Sequence, residues 1–155
     1  MDLSIYSPPF ASLYTYSPSD RDLGNSATTD EFIEHYRFIL DHMFRVTKPG
    51  RTNAVHVQQV AILKSREGYV GLQDFRGRVI QAHLDAGFIY YGEVTVDKNP
   101  QLQAVRTKAQ GLMFVQLRRD SALSRPALAD YVLLFHKPGD NEVPISPDID
   151  NETWI

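Results

Sequence analysis

Three observations along these 155 residues predict an α/β fold. First, the alternating stretch Asp2-Leu3-Ser4-Ile5, a capped amphipathic helix and the apolar run Ala54-Val55-His56-Val57 follow one another, which are the parts of a right-handed parallel crossover. Second, a further helical pattern separates that crossover from the strand-like run Phe88 to Val96. Third, Asp130 to His136 (Asp-Tyr-Val-Leu-Leu-Phe-His) reads as a strand. Alternating elements of this kind imply one sheet, parallel in its first part, with helices packed on it.

The first strand ends where Ser7-Pro8-Pro9-Phe10 begins, because each Pro removes a backbone donor and biases the residue before it toward an extended conformation. Ala11 to Ala27 is rich in Ser, Tyr, Asp, Gly and Asn without a sustained period and reads as a long loop. Thr28 and Glu31 form a capping box, and Phe32, Tyr36, Ile39, Leu40, Met43 and Phe44 continue a helical stripe to about Val46, where Lys48-Pro49-Gly50 stops it. Gln58 to Gly71 offers no pattern to place. A second helix is expected from Asp74 to about Ala86, with Phe75, Val79, Ile80 and Leu84 apolar and Gly87 as its stop. Asn99-Pro100 marks a turn, and Gln101 to Leu117 fits either a helix or, over its last six residues, an extended run. From Lys137 the composition turns polar and Pro-rich. The domain reading is therefore a main segment, 1–138, and a tail, 139–155, expected to be mobile.

Composition narrows the function. At 43% hydrophobic the chain suits a single core, and a net charge of −3 argues against binding nucleic acid by bulk electrostatics. The absence of Cys excludes disulfides, zinc ribbons, iron–sulfur clusters and a cysteine nucleophile. No leader or membrane-length apolar run is visible, so a cytoplasmic location is expected. The five His show no metal-binding spacing; His35 and His42 share a helix, and His56, in an apolar strand, reads as a satisfied core imidazole. No Ser-His-Asp order or carboxylate pair stands out.

The chemistry concentrates at Ser7-Pro8-Pro9-Phe10. A stiff strut with unused carbonyls, a hydroxyl on one side and an aromatic face on the other, is suited to accept hydrogen bonds from an amine while stacking a flat ring. This segment resembles motif IV, the Ser/Asp/Asn-Pro-Pro-aromatic signature of the S-adenosylmethionine-dependent amino-methyltransferases, chiefly those acting on DNA. The resemblance extends over about residues 2 to 138, through the Pro49-Gly50 turn, Lys98-Asn99-Pro100, and Tyr131 to Lys137, which is similar to motif VIII. It is also similar to the methylase segment of large phage or prophage proteins.

The resemblance implies a Rossmann-like methyltransferase sheet that transfers a methyl group from S-adenosylmethionine to an exocyclic base amine of DNA, cytosine-N4 in preference to adenine-N6. Ser7 and Pro8 then hold the amine and also contact the bound methyl donor, Pro9 stiffens the strut, and Phe10 stacks on a base flipped from the duplex. Tyr14, Tyr16 and Tyr131 are candidates to line the base site. Arg106, Lys108, Arg118, Arg119 and Arg125 make the densest basic region and are candidates for phosphate contacts. The family's Gly-rich donor-binding turn is not found; Gly68 to Gly71 and Arg76-Gly77-Arg78 lack its strand-to-helix context. The chain thus reads as the catalytic half alone, needing a cofactor-binding segment or partner chain. Two alternatives stay open: an RNA or protein-amide methyltransferase, and a nucleic-acid-binding subunit without catalysis.

Overall fold

The computed structural model describes residues 1–10, 17–19, 22–62, 64–106, 118–119 and 127–143. Its elements are β1 (Leu3–Tyr6), a short 3-10 turn (Leu23–Asn25), α1 (Thr29–Val46), β2 (Thr52–Gln58), β3 (Val60–Ile62), α2 (Lys64–Glu67), β4 (Gly71–Gln73), α3 (Phe75–Asp85), β5 (Ile89–Asp97), α4 (Pro100–Arg106) and β6 (Ala129–His136). The main sheet has four strands in the order β1-β2-β6-β5. β1 and β2 are parallel, and β6 runs antiparallel to both β2 and β5. The crossover is present as expected, and the sheet turns antiparallel after it. β3 and β4 form a separate antiparallel pair in the stretch where the sequence offered no pattern.

α1 follows its sequence signals closely. Thr28 is extended and its hydroxyl accepts the Glu31 N–H at 3.1 Å. The Glu31 carboxylate reaches one residue further back than in the ordinary box, accepting the Ala27 N–H at 2.8 Å. At the other end the Lys137 ammonium donates to the carbonyls of Phe44 at 2.7 Å and Thr47 at 2.8 Å, so it satisfies groups that a helix terminus leaves open. Gly50 then turns the chain at φ +68, where an added Cβ would lie 3.0 Å from the Asn141 N and the Gly139 carbonyl. No other residue type fits that turn without strain. Of the 139–155 segment, residues 139–143 are described, and the Val143 carbonyl accepts from Arg51 at 2.8 Å. Asp2 pairs with Lys48 and Arg51, each at 3.0 Å.

The register sorts strand residues onto two faces. Tyr6, Val55, Val57, Leu133 and Phe135 share the face that meets Phe32, Tyr36 and Leu40 of α1 and Phe75, Val79 and Ala82 of α3. α3 starts one residue later than expected: Asp74 is its cap, accepting the Gly77 N–H at 2.9 Å. The expected apolar stripe also needs one correction. Leu84 lies nine positions after Phe75, half a turn round from it, and is exposed; His83 is buried in its place.

His83 completes a buried polar chain. Its Nδ1 donates to the Val79 carbonyl at 2.8 Å, which leaves Nε2 to accept from the Tyr6 hydroxyl at 3.2 Å. Tyr6 in turn meets the Tyr36 hydroxyl at 2.6 Å. The imidazole lies flat on Phe135, ring centroids 3.8 Å apart. Burial holds the His83 imidazole down at about 4 and pushes the Tyr6 phenol up to about 12, while Tyr36 is raised well above its ordinary value for the same reason. None of the described helices is long and apolar enough to cross a membrane.

Candidate functional site

Ser7 leaves the carboxyl end of β1, beside the strand whose Val55 pairs with Tyr6. Pro8 is buried, Pro9 and Phe10 are half-buried, and Ser7 is exposed. The strut is therefore anchored through its prolines and open at its hydroxyl. Phe10 is held on edge by two neighbours, Phe75 at 5.8 Å between centroids and His56 at 6.5 Å. The Ser7 hydroxyl donates to the backbone carbonyl of His56 at 3.1 Å and also lies 3.4 Å from His56 Nδ1. With its proton directed at β2, the oxygen keeps lone pairs for a donor arriving from solvent.

His56 is not a core imidazole. Strand alternation places Val55 and Val57 toward the helices and His56 on the other face, where its side chain is 41% exposed. There Nε2 lies 3.3 Å from Asp130 Oδ2. The other Asp130 oxygen receives Lys98 Nζ at 2.6 Å, and Lys98 also donates to Gln58 Oε1 at 3.0 Å. A Ser-His-Asp constellation thus exists although none stood out in the sequence. Its members come from the end of β1, the middle of β2 and the start of β6, so chain order conceals them.

No family model matches the chain, and no curated protein sequence does either. Solved structures do. TTHA0409 of Thermus thermophilus, described as a DNA modification methylase, superposes with a TM-score of 0.60 at 19% identity, covering 93% of this chain and 49% of that one. Its complex with S-adenosyl-L-methionine gives a TM-score of 0.61 at 18% identity, covering 92% and 48%. The cytosine-N4-specific PvuII DNA methyltransferase gives 0.57 at 16% identity, covering 89% and 44%. The fold is that of the DNA modification methylases. The chain spans about half the length of the solved structures it matches, so it carries part of the methylase fold.

The other candidate residues divide by position. Tyr131 sits on β6, packed against the core with the Arg76 guanidinium 4.7 Å above its ring. Arg76 is itself clamped to Glu93 at 2.6 Å, and Glu93 accepts from Tyr90 at 2.7 Å. Hydrogen bonding to Glu93 raises the Arg76 guanidinium further above its ordinary value. Arg118 and Arg119 are exposed. Arg106 ends α4, its side chain outside the described set; Tyr14, Tyr16, Lys108 and Arg125 also lie outside the described residues. Among the described residues no His, Asp and Glu group is arranged to hold a metal ion.

The glycines offer no cradle for a cofactor among the described residues. Gly77 is the one near a helix start, and its missing Cβ makes room for the Asp74 carboxylate that caps α3. Gly71 opens β4, and Gly68 turns the chain at φ +78 before it. Gly24 lies in the connection from β1 to α1, but its N–H is taken by the Asp22 carboxylate at 2.9 Å; none of the others follows a strand of the main sheet into a helix, the context in which backbone N–H groups approach a ligand.

Proposed function

We propose that this chain is the amine-binding half of an S-adenosylmethionine-dependent DNA amino-methyltransferase, acting on cytosine-N4 in preference to adenine-N6. The observation that carries the reading is the exposed Ser7 hydroxyl at the carboxyl end of β1, its proton taken by the His56 carbonyl and its lone pairs open, within a fold shared with DNA methylases. Open α/β sheets bind ligands outside the carboxyl ends of their strands, and β1 ends at such a place. β1 is also an edge strand, hydrogen-bonded only to β2 among the described residues, with Leu3 and Ile5 exposed on it. Further strands can add there.

A base amine is a poor nucleophile because its lone pair is delocalised into the ring. Donating its hydrogens to the Ser7 oxygen and the Pro8 carbonyl favours a pyramidal nitrogen and aims the lone pair outward; the chain supplies position and electrostatics, without a covalent intermediate. Phe10, braced by Phe75 and His56, offers the ring against which a flipped base packs. The described residues do not fit the methyl donor, whose site belongs to a complementary segment or partner chain. A SAM-bound neighbour of the same fold supports that assignment.

The test is methyl transfer to DNA by the complete enzyme, this chain together with its donor-binding complement. Ser7→Ala is expected to lower turnover by about 10²-fold or more, the usual loss for one oriented hydrogen-bonding group, while DNA affinity stays within about threefold. Equal losses in turnover and affinity reject Ser7 as the amine holder.

A further inference from the structure

We infer that His56 is a positioning residue for Ser7 and takes up the proton that the methylated amine must shed, with Asp130 and Lys98 fixing its ring. The inference rests on the function proposed above. It starts from the geometry of four side chains whose order no sequence spacing revealed: Ser7 Oγ is 3.4 Å from His56 Nδ1, His56 Nε2 is 3.3 Å from Asp130 Oδ2, and Asp130 Oδ1 is 2.6 Å from Lys98 Nζ.

The hydrogen-bond inventory assigns each proton. Asp130 is acceptor-only when ionised, so the ring nitrogen facing it, Nε2, carries the hydrogen. In the neutral ring Nδ1 is then bare and becomes an acceptor. The single Ser7 hydroxyl proton therefore has two acceptors within reach, the His56 carbonyl at 3.1 Å and His56 Nδ1 at 3.4 Å. Rotating the hydroxyl from one to the other leaves the oxygen's remaining lone pairs on the open side. A serine poised between a carbonyl and a bare imidazole nitrogen can hold an amine and also pass on its proton.

The amine lone pair forms the nitrogen–carbon bond to a methyl group from a sulfonium donor bound by the complementary half, and the sulfur keeps the carbon–sulfur pair. The methylated nitrogen is then cationic with one hydrogen too many. That proton passes to Ser7 Oγ as the Ser7 hydroxyl proton passes to His56 Nδ1, so the amine ends neutral, Ser7 is regenerated and the ring becomes imidazolium. Asp130 compensates its charge, and the 41% exposure of the side chain lets the proton leave to water. Lys98 fixes Asp130 in place, the two side chains being only 17% exposed. A purely structural ion pair between β2 and β6 would need neither the contact to Ser7 nor the ring's open position. Among the described residues, the groups that face the imidazole are Ser7 and Phe10 from the β1 end and Asp130 from β6, with Lys98 behind Asp130.

Two measurements decide it. Long-range proton–nitrogen NMR on the chain itself reads the ring: the neutral form of His56 is expected as the Nε2–H tautomer, and Asp130→Asn is expected to release that preference so that the Nδ1–H form is seen as well. A neutral Nδ1–H tautomer in the wild type, or a tautomer balance unmoved by Asp130→Asn, overturns the inference. In the complete enzyme, His56→Asn keeps a polar atom near the Nδ1 position but cannot take up a proton. It is expected to lower the single-turnover methylation rate about 10²-fold, the scale of general acid–base assistance, with DNA affinity unchanged. A wild-type-like rate in His56→Asn overturns the relay and leaves the methyltransferase reading intact. A complete wild-type enzyme that methylates no base overturns that reading and this role with it.

Discussion

The two faces of the four-stranded sheet are built by the same strands and differ in what covers them. On one face Tyr6, Val55, Val57, Leu133 and Phe135 meet α1 and α3, and the last four of these are 0% exposed. On the other, Leu3, Ile5, Val94 and Val96 stand 44–73% exposed, and Tyr91, at 68%, stacks on His136. The covered face holds the fold together. The open face carries His56 and Asp130 and the apolar surface of a layer that the described residues do not supply. An α/β sheet is normally covered on both faces. Buried packing and the candidate site are therefore divided between the two sides of one sheet, and a substitution is expected to be felt according to its side.

The largest effect that tests this division is on the covered face. Phe135→Ala removes a fully buried ring and the partner stacked on His83, and is expected to cost about 3–5 kcal/mol in urea unfolding. The next is the pH response of the same face. Folded His83 holds its proton only below about 4, whereas the unfolded chain binds one below the ordinary 6.5. As pH falls through that window the unfolded state takes up a proton that the folded state refuses, so stability declines and levels off beneath 4, by about 3 kcal/mol in all. The difference between wild type and His83→Phe isolates this contribution; parallel pH curves for the two would contradict it. The smallest effect is on the open face. Ile5→Ser is expected to change the stability of the isolated chain by no more than about 0.5 kcal/mol, as is usual for exposed positions. A loss near that of Phe135→Ala would erase the distinction between the faces.

Sequence was most legible where local signals agreed with one another. α1 has its cap, its stripe and its stop within one continuous stretch, and both of its bounds follow from Thr28, Glu31 and the Lys48-Pro49-Gly50 turn. β5 and β6 were visible as runs of β-branched and aromatic residues. β3 and β4 were not, since three residues are too few to show a period and their partner lies across a short helix. The candidate site was half legible. Ser7 to Phe10 is one contiguous motif, and its chemistry can be read from four side chains. His56, Asp130 and Lys98 join it only through pairing of strands far apart in the chain. The alternation Val55-His56-Val57 held a clue, for it sets the imidazole on the opposite face from its apolar neighbours. Lys137 shows the converse: a residue that resembled part of a motif closes the end of α1.

The central claim is that the chain holds the amine and lacks the holder of the methyl donor. Calorimetric titration with S-adenosylmethionine tests it most directly, first on this chain alone and then after adding the flanking sequence or partner chain that supplies the donor site. No saturable binding to the chain alone is expected, and saturable binding to the combined protein. Stoichiometric binding by these 155 residues alone would contradict it.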